Sequence, residues 1–98
     1  MMTKQIKLAI EESTTGVAGF PYGQEIFTKQ VKNQLSSEAF NEGIEIVLPD
    51  SIERITSSFV QGFFSYLIDK YGYYGVKKNF SIKTSSKKLS ESVFKVLE

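Results

Sequence analysis

The chain contains no cysteine and no histidine. It therefore cannot close a disulfide, run thiol chemistry, use an imidazole as a base or build an ordinary zinc site. Prolines number only two, and 41% of the residues are hydrophobic, which argues for a folded domain over a disordered chain. No apolar run reaches the length that spans a bilayer, and the first seven residues are largely polar and charged, unlike a secretory leader. The expectation is a cytoplasmic protein with no membrane partner. There is no heptad series, repeat or low-complexity tract, and a net charge of +1 gives no reason to expect a nucleic-acid partner.

Ninety-eight residues suit one domain, 1–98, with a single two-layer core. Charge is spread unevenly along it. Residues 1–69 carry five basic against nine acidic side chains, and residues 70–98 carry seven lysines against two glutamates. Lys77, Lys78, Lys87 and Lys88 could make the second part a docking surface for an acidic protein or a phosphate. A solvated rim around a strand and a helix is the simpler reading.

The apolar pattern carries more information. Ile6, Leu8 and Ile10 alternate with polar residues across 5–11, as in a half-buried strand. A loop over 13–23, with Gly16, Gly19, Pro21 and Gly23, leads into a helix over 24–37 whose buried stripe is Phe27, Val31 and Leu35. Asn41, Glu42 and Gly43 signal a turn, and residues 44–48 form the strongest strand, ended by Pro49 and Asp50. The longest helical pattern follows three hydroxyls, Thr56, Ser57 and Ser58. On it Phe59, Phe63 and Leu67 form one row and Val60, Phe64 and Ile68 a second, so this helix should lie buried against a sheet. Gly72 stands where a left-handed C-cap would end it. Residues 73–78 read as a turn and 80–84 as a third strand. Ser85 or Ser86 can cap a last helix that carries Leu89, Val93, Val96 and Leu97.

Strand and helix thus alternate three times, which places the chain in the α/β class: a small mixed sheet of three or four strands packed by about three helices. Crossovers should be right-handed, and partners or ligands should gather outside the carboxyl ends of the strands. Both the Thr56, Ser57 and Ser58 turn and the 16–23 loop fall on that rim. Gly16, Gly19 and Gly23 could offer backbone N–H groups to an anion. Their loop lacks the Gly-Lys-Ser/Thr ending of a P-loop, and a flexible turn is the simpler reading. Tyr71, Tyr73 and Tyr74 read either as core-edge packing or as an exposed contact surface. Arg54, the only arginine, can pair with Asp50, Glu53 or a phosphate at Ser57. The carboxylates are scattered, and Ser57 has no histidine to activate it. No catalytic residue, metal site or cofactor is expected, and the chain does not read as an enzyme.

Ile46-Val47-Leu48-Pro49-Asp50, a spacer, then Ile55-Thr56-Ser57-Ser58-Phe59 and an apolar helix resemble the core of a STAS domain, the fold of the bacterial anti-sigma factor antagonists. The likeness covers 44–98 and extends to a group of short STAS-like domains of unknown function. Thr56 occupies the place of that family's aspartate, and Phe59 that of its glycine. The resemblance implies a non-enzymatic regulatory module that docks a kinase-like ATP-binding protein or an anti-sigma factor. Its contact residues would be Arg54, Thr56, Ser57, Ser58, Phe59 and Gly62, with Ser57 at the position that a partner kinase phosphorylates. Ser58 would then be the helix cap, since Ser58 and Gln61 fit the Ser-x-x-Gln capping box. Two other readings stay open: a small-ligand or nucleotide-binding accessory module using the glycine loop, and a homodimeric accessory subunit.

Overall fold

The structure, a computed structural model, describes residues 4–97. Three strands, β1 (Lys4–Lys7), β3 (Ile44–Val47) and β5 (Phe80–Lys83), form one sheet in the order β1-β3-β5. Both pairings are parallel, with Ile6, Ile46 and Ile82 in register. The sheet is therefore wholly parallel rather than mixed. Two further strands of two residues each, β2 (Gly16–Val17) and β4 (Arg54–Ile55), make a separate parallel pair.

The four α-helices among the described residues are α1 (Phe20–Ile26), α2 (Ser37–Glu42), α3 (Ser57–Asn79) and α4 (Lys87–Val96). β1 connects to β3 and β3 to β5 in the same direction across the sheet. Crossovers of one hand then put α1 and α3 on the same face, where they pack on each other. Period-two alternation makes this work. Ile6, Ile44, Ile46 and Phe80 are buried beneath the helices. The opposite face carries two polar rungs, Gln5, Glu45 and Ser81, then Lys7, Val47 and Lys83. Parallel sheets are usually covered on both faces; here alternation leaves the second face polar, and Gln5 donates a 2.6 Å hydrogen bond to Glu45 across it. Two layers result. Lys4 and Lys7 on one edge strand and Lys83 on the other discourage further strand pairing.

The core is led by Phe63, Phe64, Leu67, Val60 and Val76, each fully buried. Each such side chain contributes about 1.5–3 kcal/mol by leaving water. Phe63 meets Phe64 at 4.9 Å and 76°, and Phe27 at 5.6 Å and 84°, both edge to face. These are the favoured aromatic geometries.

Several boundaries differ from the sequence reading. α1 starts at Phe20 rather than at 24, because Pro21 occupies its first turn, where the missing N–H costs nothing. It runs on through a π-helical turn (Phe27–Val31) and a 3-10 turn (Lys32–Gln34). The widened turn coincides with a two-point clamp: Ala9 N donates to Gln30 Oε1 at 2.6 Å, and Gln30 Nε2 donates to Ala9 O at 2.9 Å. A separate helix, α2, then begins at the Ser36 cap, whose hydroxyl accepts from Ala39 N at 3.1 Å. Asn41 and Glu42 are helical, and the chain turns only at Gly43. Phe40 of α2 stacks on Tyr71 of α3 at 3.8 Å and 15°.

At Gly72 the first helical run of α3 stops, as expected: its φ of 77° and ψ of 166° lie outside helical space, and after this kink the chain resumes helical form to Asn79. The positive φ is why glycine stands there. The resumption has its own cause, since Val76 has a fully buried seat and Asn79 Nδ2 bonds Gly75 O at 3.0 Å. The expected turn over 73–78 is therefore helix. Tyr73 and Tyr74 on it face outward, Tyr74 with 78% of its surface exposed. Among the described residues no helix is long and apolar enough to cross a membrane.

Candidate functional site

Because β1, β3 and β5 all point the same way, their carboxyl ends share one rim, and each leads toward a helix start. The loops that leave β1 and β3 are tied together before their helices begin. Glu53 N and Arg54 N both donate to Thr15 O, at 2.6 and 3.2 Å, and Thr56 N donates to Val17 O at 3.1 Å. The small β2–β4 pair is the product of this lashing. A third loop joins them where Ser85 Oγ donates to Ile52 O at 3.2 Å.

Thr56 is the joint of the rim. It is the N-cap of α3, and its Oγ1 accepts from Phe59 N at 3.2 Å. The same oxygen lies 3.4 Å from Gly19 N, the amide at the start of α1, and 3.1 Å from Ser58 Oγ. One hydroxyl thus joins the starts of two helices. This corrects the expected cap at Ser58, which lies inside the first turn with its hydroxyl turned back to Thr56. An N-cap needs extended backbone, and Thr56 has it at φ −78° and ψ 155°. Threonine and aspartate are both good N-caps, so Thr56 can do what an aspartate would do there.

Ser57 is left over. It is exposed, occupies the first helical position, and its hydroxyl meets no hydrogen-bond partner among the described residues. Arg54 is likewise exposed and makes no ion pair with Asp50, Glu53 or any other described residue. Phe59 and Gly62, expected at the contact surface, are buried beneath it. Phe59 has 3% of its surface exposed and packs on the Tyr22 ring at 5.7 Å. At Gly62 an added Cβ would come within 2.8 Å of the Phe20 carbonyl carbon. These two residues fix the helix under the rim and cannot touch a partner. The exposed aromatic on the rim is Phe20, with 40% of its surface in solvent. Phe20 is not among the contact residues expected from the sequence. The Phe20-Pro21 step at a helix start was the available signal.

The three glycines of the proposed anion loop do not act together. Gly16 is paired with Arg54 inside β2–β4. Gly19 is the cap residue of α1, with φ 97°, and its amide is directed at Thr56. Gly23 lies inside α1, where an added Cβ would be 2.7 Å from Phe63 N and 3.2 Å from the Gly62 carbonyl carbon. Gly23 and Gly62 are the close-approach points of two crossing helices. Gly16, Gly19 and Gly23 therefore do not form one cradle of backbone amides.

Among the described residues no three acidic side chains gather as a metal site would need. The one salt bridge among the described residues, Lys29 to Glu25 at 2.7 Å, links the π-helical turn to α1, and its hydrogen bond and charge raise the lysine above its usual value. Comparison of the chain with protein-family models, with curated proteins and with solved structures finds no match.

Proposed function

We propose that this chain is a non-enzymatic regulatory module that docks a protein partner through the rim formed by Arg54, Thr56, Ser57 and Ser58, with Phe20 as its apolar anchor. The observation that carries the reading is the division of labour between neighbouring hydroxyls. Thr56 caps the helix and Ser58 bonds to Thr56, while Ser57 is exposed and has no structural duty. A plain helix start needs one hydroxyl. The resemblance to STAS domains gives the spare one a role, as the residue a partner kinase modifies. The partner would be a kinase-like ATP-binding protein or an anti-sigma factor.

The physics of such a switch is local. A phosphate on Ser57 would add about −1.5 to −2 charges at the positive end of the α3 dipole, which tolerates them. Its effect would fall on the docked partner, whose packed face would have to desolvate that charge. The test is affinity capture from the native host with wild type, Ser57→Ala and Ser57→Asp, quantified by mass spectrometry. Wild type and the alanine variant should retain one ATP-binding or sigma-regulating protein that the aspartate variant loses. Equal retention by all three would remove Ser57 from the interface.

A further inference from the structure

About nine residues along α3 from Ser57, roughly 13 Å at the helical rise, a recess opens between α3 and the segment that joins α1 to α2. Its volume is about 330 Å³, and its walls include Lys32, Ser36, Ser37, Tyr66, Lys70 and Tyr71. The lower end of the size range of small-molecule sites is similar. Two features set this recess apart from ordinary solvated surface. Both ammonium groups lie against rings of the recess, Lys32 Nζ at 4.8 Å from the Tyr66 centroid and Lys70 Nζ at 5.5 Å from Tyr71 and 5.9 Å from Tyr66. Neither has a carboxylate partner among the described residues, and Glu38 and Asp69, the nearest acids in sequence, do not line the recess.

Two ammonium groups on one recess without a carboxylate partner leave it positively charged, which favours an anion there. The floor is firm, because Tyr71 is held by its stack on Phe40. The Ser37 hydroxyl can donate to an incoming oxygen, and it has no other partner among the described residues. The donor set also bears on which anion. A phosphomonoester carries about −1.5 to −2 charges at neutral pH, which two lysine point charges balance without the fork that an arginine would supply. The only arginine, Arg54, is in β4 on the rim. We propose that the recess is a binding site for a small phosphomonoester, with Lys32 and Lys70 on the phosphoryl oxygens and the organic body against Tyr66 and Tyr71.

The experiment is a titration of the ¹⁵N-labelled full chain, followed by its amide shifts, with ribose 5-phosphate, inorganic phosphate and malonate. Ribose 5-phosphate should shift the amides of Lys32, Ser37, Tyr66 and Lys70 saturably, and more tightly than the other two. The double variant Lys32→Gln, Lys70→Gln should bind it at least roughly tenfold more weakly, the scale of losing a charge-assisted hydrogen bond. Both lysines are exposed, so the variant should keep the wild-type spectrum elsewhere. Absence of saturable shifts in the recess, or undiminished binding by the double variant, would overturn the site. Equally tight malonate would overturn the phosphoryl assignment, and equally tight inorganic phosphate the part given to the organic body.

Discussion

Thr56 and Ser57 are neighbours with the same chemistry, yet alanine at each should have different consequences. Thr56→Ala removes the acceptor for Phe59 N and the link to Gly19 N. It should cost about 1 kcal/mol, and more if the two helix starts separate. Ser57→Ala removes a hydroxyl with no partner among the described residues, and stability should stay within about 0.5 kcal/mol. Urea unfolding midpoints at unchanged slope distinguish the two. Ser57→Asp should stabilise the fold by about 0.3–1 kcal/mol at low salt, through the helix dipole, and the gain should shrink as salt is added. A destabilised aspartate variant would mean that position 57 is more confined than its exposure indicates, and loss of a partner could then be a folding effect.

At the scale of elements, the crossing of α1 over α3 decides the architecture around the rim. Alanine is about 1 kcal/mol better than glycine in a helix interior, so by propensity Gly62→Ala should stabilise α3. The crossing reverses the sign. The new methyl would stand 2.8 Å from the Phe20 carbonyl carbon, backbone that cannot turn aside, and overpacking of this kind costs about 1–3 kcal/mol. Thermal unfolding of Gly62→Ala should therefore show a lowered midpoint, and an unchanged or raised one would contradict the close approach. The same crossing shows what the sequence made legible. Rows of apolar residues at Phe59, Phe63 and Leu67 and at Val60, Phe64 and Ile68 announced a buried α3, and all but the half-buried Ile68 are in the core. The strand over 44–47 was equally plain from its isoleucines. Gly23 and Gly62 were misread because turn and close approach use the same residue, and only the partner helix tells them apart. The β2–β4 pair left no trace because two residues have no periodicity. Helix beyond Gly72 was hidden since its reason, the seat of Val76, lies in tertiary packing. The cap fell two residues before the expected Ser58 because Thr56, Ser57 and Ser58 are interchangeable by composition, and backbone angles chose among them.

For the molecule as a whole, one two-layer core supports everything. Domains of this size have about 5–15 kcal/mol of stability, and Phe64→Ala should remove about 3–5 of it. Phe64 touches Phe63, Phe80 and Phe94, so its loss should loosen sheet and helices together, seen as one shifted cooperative transition in calorimetry. The two large surfaces differ in character. The open sheet face is polar, with Lys7 and Lys83 flanking Val47, while the rim combines Phe20, Ser57 and Arg54. Docking at the rim is the central claim. Its most direct measurement places a photo-cross-linking amino acid at position 57, and in a second protein at position 7, with irradiation in the native host. The account predicts a single dominant cross-linked protein from position 57 and none from position 7. A partner captured from position 7 alone would move the interface to the open sheet face and contradict the reading of the rim.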